Sequence, residues 1–204
     1  MKKIDTIIFD LGGVLIDWSP KYLYRKIFDT EKQVDWFLNK ICTTEWNAEQ
    51  DAGRSFNEAT QLLINQYPKY KKEIKIFYDR WEEMLGGEIK ETVNLLHLLK
   101  QQNKHSLYAL TNWSAEAFPV ARERFEFLKF FEGIVVSGEE NTRKPFKKIY
   151  EIIINRYQLT PHTSVFIDDN LENVEGAKTV GMQGIHFKNS QQLIKELNLL
   201  GVHF

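Results

Sequence analysis

Five short runs rich in β-branched or aromatic residues, at positions 4–9, 106–110, 133–137, 164–167 and 184–187, constrain this chain more than any other feature. Three of them carry no polar alternation, which suits parallel strands covered on both faces. Amphipathic patterns lie between them. Residues 91–102 place Val93, Leu95, Leu96, Leu98 and Leu99 at helical spacing, and 115–127 and 146–157 are similar. Residues 171–180 form a shorter pattern closed by Gly181, a residue suited to a helix C-terminus. Strands alternating with helices of this length imply βαβ units. The predicted fold class is α/β, a Rossmann-like parallel sheet in a three-layer α/β/α core.

Between about residues 19 and 85 that alternation fails. This stretch reads as helices at 20–28, 31–40, 56–67 and 69–85. Ser55-Phe56-Asn57-Glu58 fits a capping box, in which hydroxyl and carboxylate satisfy each other's orphan amides. Gly86-Gly87 then returns the chain to the sheet. The expected organisation is a core of residues 1–18 and 86–204, with a helical cap of residues 19–85 inserted after the first strand. A chain of 204 residues is long enough for a domain carrying such an insertion.

Composition narrows the partners. A formal net charge of -1 argues against a nucleic-acid binder, whose footprint is basic, and leaves room for a small anionic ligand. The single cysteine, Cys42, excludes an intrachain disulfide and fits a reducing, cytoplasmic setting. Met1-Lys2-Lys3 precedes apolar residues, but Asp5 and Asp10 break the run and no small-residue cleavage site follows, so no signal peptide is expected. No apolar stretch approaches the roughly 20 residues of a membrane span. His97, His105, His162, His186 and His203 are scattered, without zinc-ligand spacing.

In open α/β sheets, ligands bind beyond the carboxyl ends of the strands. The first strand is followed by Asp10-Leu11-Gly12-Gly13-Val14, the second by Thr111-Asn112, and the fourth by Asp168-Asp169-Asn170. Arg143-Lys144-Pro145 lies just past the third and opens a helix. Each end delivers a polar or charged group to one edge. Singly, these are ordinary turn formers and helix starts. Together they place two carboxylate sites and one lysine side by side.

In this pattern the chain resembles the haloacid dehalogenase-like superfamily, in its phosphatase branch with a small helical cap. Phe9-Asp10-Leu11-Gly12-Gly13-Val14, Arg143-Lys144-Pro145 and Phe166-Ile167-Asp168-Asp169-Asn170-Leu171-Glu172-Asn173 are most similar to the subgroup that includes bacterial α-glucose-1-phosphate phosphatases. The resemblance implies Mg²⁺-dependent hydrolysis of a small phosphorylated metabolite, with Asp10 forming an aspartyl-phosphate that water then cleaves. Gly12 and Gly13 would let the chain turn so that amides face the phosphate. Thr111 would offer its hydroxyl and Asn112 its backbone amide, while Lys144 offsets the charge of phosphate and Asp10. Mg²⁺ would rest on Asp10, Asp169 and the Gly12 carbonyl. Asp168 would steady Lys144 or a metal-bound water, with direct ligation as the alternative, and Asn173 would support it. Two rivals remain: a haloacid dehalogenase, which needs no metal and hence no Asp168-Asp169 pair, and a catalytically silent binding module.

One departure matters. Most phosphatases of the superfamily carry an acid–base aspartate two residues after the nucleophile, and here that residue is Gly12. Such help is typically worth about 10²- to 10⁴-fold. Either the leaving oxygen is weakly basic, as in an anomeric sugar phosphate, or another group such as Asp17 or a cap residue supplies the proton. The cap segment 45–54 is the place to look for specificity: Trp46 would stack on a sugar ring, with Glu49, Asp51 and Arg54 on its hydroxyls. The plainer reading puts Trp46 in the cap core and 51–54 in a turn. Trp113 is expected beside the site and Ser114 as the N-cap of the next helix.

Overall fold

The computed structural model describes residues 3–204; Met1 and Lys2, at the head of the run read above as lacking signal-peptide features, lie outside them. Strand β1 (Thr6–Phe9) leads to a short strand β2 (Ile16–Trp18). Helices α1 (Pro20–Tyr24), α2 (Glu31–Lys40), α3 (Thr44–Ala48), α4 (Phe56–Gln66) and α5 (Lys71–Asp79) follow. Strand β3 (Leu85–Glu88) then precedes α6 (Lys90–Gln102), β4 (Ser106–Thr111), α7 (Phe118–Arg124), β5 (Gly133–Val136) and α8 (Ser137–Glu140). The chain ends through α9 (Lys147–Tyr157), β6 (Ser164–Asp168), α10 (Leu171–Thr179), β7 (Gln183–His186) and α11 (Ser190–Leu199).

The expected sheet is present. Its order is β5-β4-β1-β6-β7, with every neighbouring pair parallel. Along β1, Ile7 and Phe9 join one apolar cluster and Ile8 another, and all three are 0% exposed. Burial on both faces is the physical reason for the unbroken apolar runs. From β1 the chain builds β4 and β5 on one side, then crosses to β6 and β7 on the other. The carboxyl end of β1 is therefore a topological switch point, where such sheets open a crevice.

The larger cluster continues from the sheet into the helices after β2, through Leu23, Tyr24, Phe37 and Phe77. Tyr24 and Phe37 have ring centroids 4.8 Å apart, and the Tyr24 hydroxyl donates to the Glu73 carbonyl at 2.9 Å. No helix among the described residues is long and apolar enough to cross a membrane.

Several local expectations need correcting. Gly86 and Gly87 are more than a return loop: they lie in β3, which pairs antiparallel with β2. This joins the entry and exit of the helical segment. Residues 69–85 do not form one helix. Residues 68–70 and 81–84 are 3₁₀ turns, and Arg80, at φ -128°, ends α5 so that Trp81 can reach Trp113, with centroids 5.5 Å apart. Ser114 does not cap α7; its hydroxyl accepts from the Glu116 amide in a preceding turn, and Pro119 sits in the first turn of that helix. Ser55 accepts from the Glu58 amide, but the reciprocal capping box forms at Thr30 and Gln33.

Candidate functional site

The loop after β1 is tied by its own backbone. The amides of Leu15 and Ile16 both donate to the Leu11 carbonyl at 2.8 Å, and the Gly13 amide donates to Ile16 at 2.9 Å. Asp10 is anchored by its amide to the Ile167 carbonyl, while its carboxylate accepts from the Leu11 amide at 2.7 Å. Gly13 has φ +73°, and a Cβ there would run into the Asp169 carboxylate. Gly12 differs: a Cβ built on it meets nothing within 4 Å. Gly13→Ala is therefore expected to cost about 1–3 kcal/mol and to displace Asp169, whereas Gly12→Ala stays within about 0.5 kcal/mol. Thermal unfolding of the two variants checks this, and equal melting temperatures would contradict it.

Three carboxylates gather at this edge. Asp10, Asp168 and Asp169 each bring an oxygen within 4.8 Å of the others. Among them lies Lys144, whose side chain is 0% exposed; its Nζ is 2.9 Å from Asp10 Oδ1 and 2.6 Å from Asp168 Oδ2. Asp168 is fully committed. Besides Lys144 it accepts from the Asn170 amide at 2.8 Å and from Asn173 Nδ2 at 3.1 Å on both oxygens. Asp169 sits at the exposed rim.

Charge balance explains the electrostatics. Burial pushes the Asp10 carboxyl up to about 8; Lys144 pulls it down, and Asp168 and Asp169 push it up. Burial and the Asp168 charge also raise Asp169. Burial alone would lower Lys144, but Asp10 and Asp168 outweigh it and hold it charged. One ammonium thus pairs with two of the three carboxylates, and Asp168 has the shorter contact. The residual negative charge and the all-oxygen donor set suit a hard divalent cation.

Thr111, at the end of β4 and 1% exposed, has a buried hydroxyl with no hydrogen-bond partner. Leaving such a group unsatisfied costs roughly 1–3 kcal/mol, so a ligand oxygen is its natural acceptor. Asn112 has a use that its sequence position did not suggest. Its side chain accepts from the Lys144 amide at 2.8 Å and donates to the Lys144 carbonyl at 3.1 Å, fixing the main chain that carries the lysine.

The structure separates other candidates from this cluster. Asp17 lies in β2 and accepts from the Tyr22 hydroxyl at 2.6 Å, outside the acidic group. Trp46 packs edge-on to Phe77 at 5.1 Å, and its indole N–H donates to the Ala59 carbonyl. Its ring is spent on helix packing, as in the plainer reading. Arg54 donates to Gln50 and to the Trp46 carbonyl at 2.7 and 2.9 Å, closing the end of α3. Trp113 is buried against Trp81 and Phe118 instead of lining the site. Sequence reasoning quoted Arg143 within Arg143-Lys144-Pro145 but gave it no role; it pairs with Glu49 at 3.6 Å and lies over the Phe146 ring. It also gave no role to His186, whose Nε2 is 3.0 Å from the Asp169 carbonyl. Neither has a sequence signal, because both partners are remote along the chain.

Known proteins resemble the chain in sequence and fold. The family model for haloacid dehalogenase-like hydrolases matches residues 4–181. A sesquiterpene phosphatase of Aspergillus oryzae is 31% identical over 95% of this chain and 94% of its own. A glyceraldehyde 3-phosphate phosphatase of Pyrococcus furiosus is 33% identical over 92% of this chain and 82% of its own. The fold matches a Bacteroides thetaiotaomicron enzyme solved with magnesium and inorganic phosphate, with TM-score 0.68 and 20% identity, covering 91% of this chain and 95% of that one. With a matching model over most of its length and its strand-end residues gathered as described, this chain belongs to the haloacid dehalogenase-like hydrolase family.

Proposed function

We propose that the protein is a Mg²⁺-dependent hydrolase of small phosphate monoesters that works through an aspartyl-phosphate on Asp10. The observation that carries this reading is the buried Lys144 ammonium shared by Asp10 and Asp168 beside the unpartnered Thr111 hydroxyl. Asp10 attacks phosphorus in line, the leaving oxygen departs, and water then cleaves the acyl-phosphate. Lys144 and Thr111 receive the phosphoryl oxygens, with the loop amide of Asn112. Asp10, Asp169 and the Gly12 carbonyl would hold the ion, because Asp168 is occupied by Lys144, Asn170 and Asn173. When bound, Mg²⁺ neutralises phosphoryl charge. Residues 19–85 act as a cap over the core formed by 1–18 and 86–204, hinged at the β2–β3 pair. The buried free thiol of Cys42 suits a cytoplasmic setting.

Sugar phosphates are the favoured substrates, since an anomeric oxygen is a weakly basic leaving group and Gly12 places no acid on the loop that carries the nucleophile. A second reading has its own support. Phe146 and Leu171, two residues beyond Lys144 and Asp169, are apolar and 57% and 51% exposed. They offer an apolar rim, and one relative is named a sesquiterpene phosphatase. Rates on glucose-1-phosphate, glucose-6-phosphate and a sesquiterpenyl monophosphate, with Mg²⁺ and with chelator, decide between them. We expect hydrolysis only with Mg²⁺ and a preference for glucose-1-phosphate over glucose-6-phosphate. Faster turnover of the terpenyl ester selects the second reading, and undiminished rates in chelator overturn the metal assignment. Halide release from a 2-haloacid, without phosphatase activity, would overturn both.

A further inference from the structure

We propose that Asp51, on the turn after α3, donates the proton to the leaving oxygen and later takes one from the hydrolytic water, the role that Gly12 cannot fill. The inference rests on Asp10 as the nucleophile and adds the missing acid–base group.

Position comes first. The turn carrying Asp51 is docked onto the loop that delivers Lys144. Glu49 pairs with Arg143 at 3.6 Å. Gly53, at φ +104°, packs so closely on Asn141 that a Cβ would collide with its side-chain amide. From inside the helical segment the same turn is held by Gln50, which is 1% exposed and donates to the Trp46 carbonyl at 2.8 Å and to the Tyr78 hydroxyl. Asp51, between these fixed points, is half-buried, and its carboxyl accepts no hydrogen bond among the described residues. A carboxyl held that firmly and left without a partner is available to a ligand. On the core side, a Cβ built on Gly12, two residues after Asp10, meets nothing within 4 Å, so this loop does not fill the space a substrate needs.

The surroundings suit the chemistry. Burial pushes the Asp51 carboxyl up to about 7, with Arg143 and Lys144 drawing it partly back. The Tyr78 phenol also faces it from α5, and Glu49 and Arg54 lie on its own turn. An acid with a pKa near the working pH is best placed to give a proton and recover it.

The steps balance. Asp10 Oδ bonds to phosphorus as the ester P–O bond breaks, and the Asp51 proton passes to the departing oxygen to give the alcohol. Water then attacks phosphorus while its proton passes to the Asp51 carboxylate. The bond from phosphorus to Asp10 breaks, releasing phosphate and restoring both aspartates.

The test compares a simple alkyl phosphate, whose leaving oxygen needs a proton, with p-nitrophenyl phosphate, whose leaving oxygen does not. Asp51→Asn is expected to slow the alkyl ester by about 10²- to 10⁴-fold. With p-nitrophenyl phosphate it should give a burst of one nitrophenol per site followed by slow turnover, because phosphoenzyme still forms but water is no longer activated. The burst also shows that the variant is folded. Adding Gly12→Asp to Asp51→Asn should restore turnover of the alkyl ester, since a side chain at position 12 starts into open space two residues from the nucleophile. Wild-type rates for Asp51→Asn on the alkyl ester, or equal losses on both esters without a burst, overturn the proposal. A failure of the underlying reading looks different: Asp10→Asn would itself stay active.

Discussion

Asp10→Asn is expected to lower phosphate-ester turnover by roughly 10⁴-fold or more, the scale of a lost covalent nucleophile, without lowering thermal stability. The two outcomes separate because Asp10 is costly to the fold. It is a 7%-exposed carboxylate that shares one ammonium with Asp168 and lies close to Asp169. Replacing it with an amide removes like-charge repulsion and leaves Lys144 its shorter contact, 2.6 Å to Asp168. In metal-free buffer the melting temperature should equal or exceed that of the wild type. Added Mg²⁺ should stabilise the wild type by mass action and the variant much less. Initial rates and scanning calorimetry with and without Mg²⁺ measure all of this. Residual activity would remove Asp10 as nucleophile, and a sharp fall in melting temperature would contradict the charge argument.

Lys144→Ala should be the most destabilising of these substitutions. Its Nζ is the only side-chain cation paired with the 0%-exposed Asp168 carboxylate among the described residues. Removing one partner of a buried ion pair typically costs about 3–5 kcal/mol. At about 2–4 °C per kcal/mol for a chain of this size, the melting temperature should fall by about 6–20 °C. Activity should be lost as well, since the phosphate would meet uncompensated carboxylates. Combining Lys144→Ala with Asp168→Asn is expected to cost less than the two single losses summed, because the buried Asp168 charge goes with its partner, without recovering turnover. Additive losses in that cycle would show that the two residues are not energetically coupled.

Much of the fold was legible because its determinants are local. A strand buried on both faces needs an unbroken apolar run, and Ile7 and Ile8 report this directly by facing opposite clusters. The end of α10 was legible for the same reason: Gly181 follows it at φ +90°. The β2–β3 pair was not. Two strands of three and four residues, distant in sequence, carry no pattern of their own, and only the packing of the helices between them brings them together. Residues 69–85 misled in the opposite way, since a continuous helical pattern conceals a break at Arg80 that exists to seat Trp81 against Trp113.

The candidate site divides along the same line. Asp10, Thr111 and Asp169 were candidates because parallel strands deliver what ends or follows them to one edge, and Lys144 because it opens the helix after the third. What each side chain does there was decided by the crossing of β1, β4 and β6, and by the loop before α9. That crossing settles that Lys144 bridges Asp10 and Asp168, that the Asn112 side chain clamps the lysine's backbone, and that the Thr111 hydroxyl is left without a partner. It also spends the Trp46 ring on Phe77 and brings the Asp51 turn to Arg143. The sequence by itself determined the sheet and the chemical groups along its edge, because strand periodicity and strand-end placement depend on near neighbours. Only the tertiary structure decided which carboxylates share the Lys144 ammonium and that Glu49 meets Arg143, because those pairings join residues distant along the chain that meet only when the strands and the helical segment pack together.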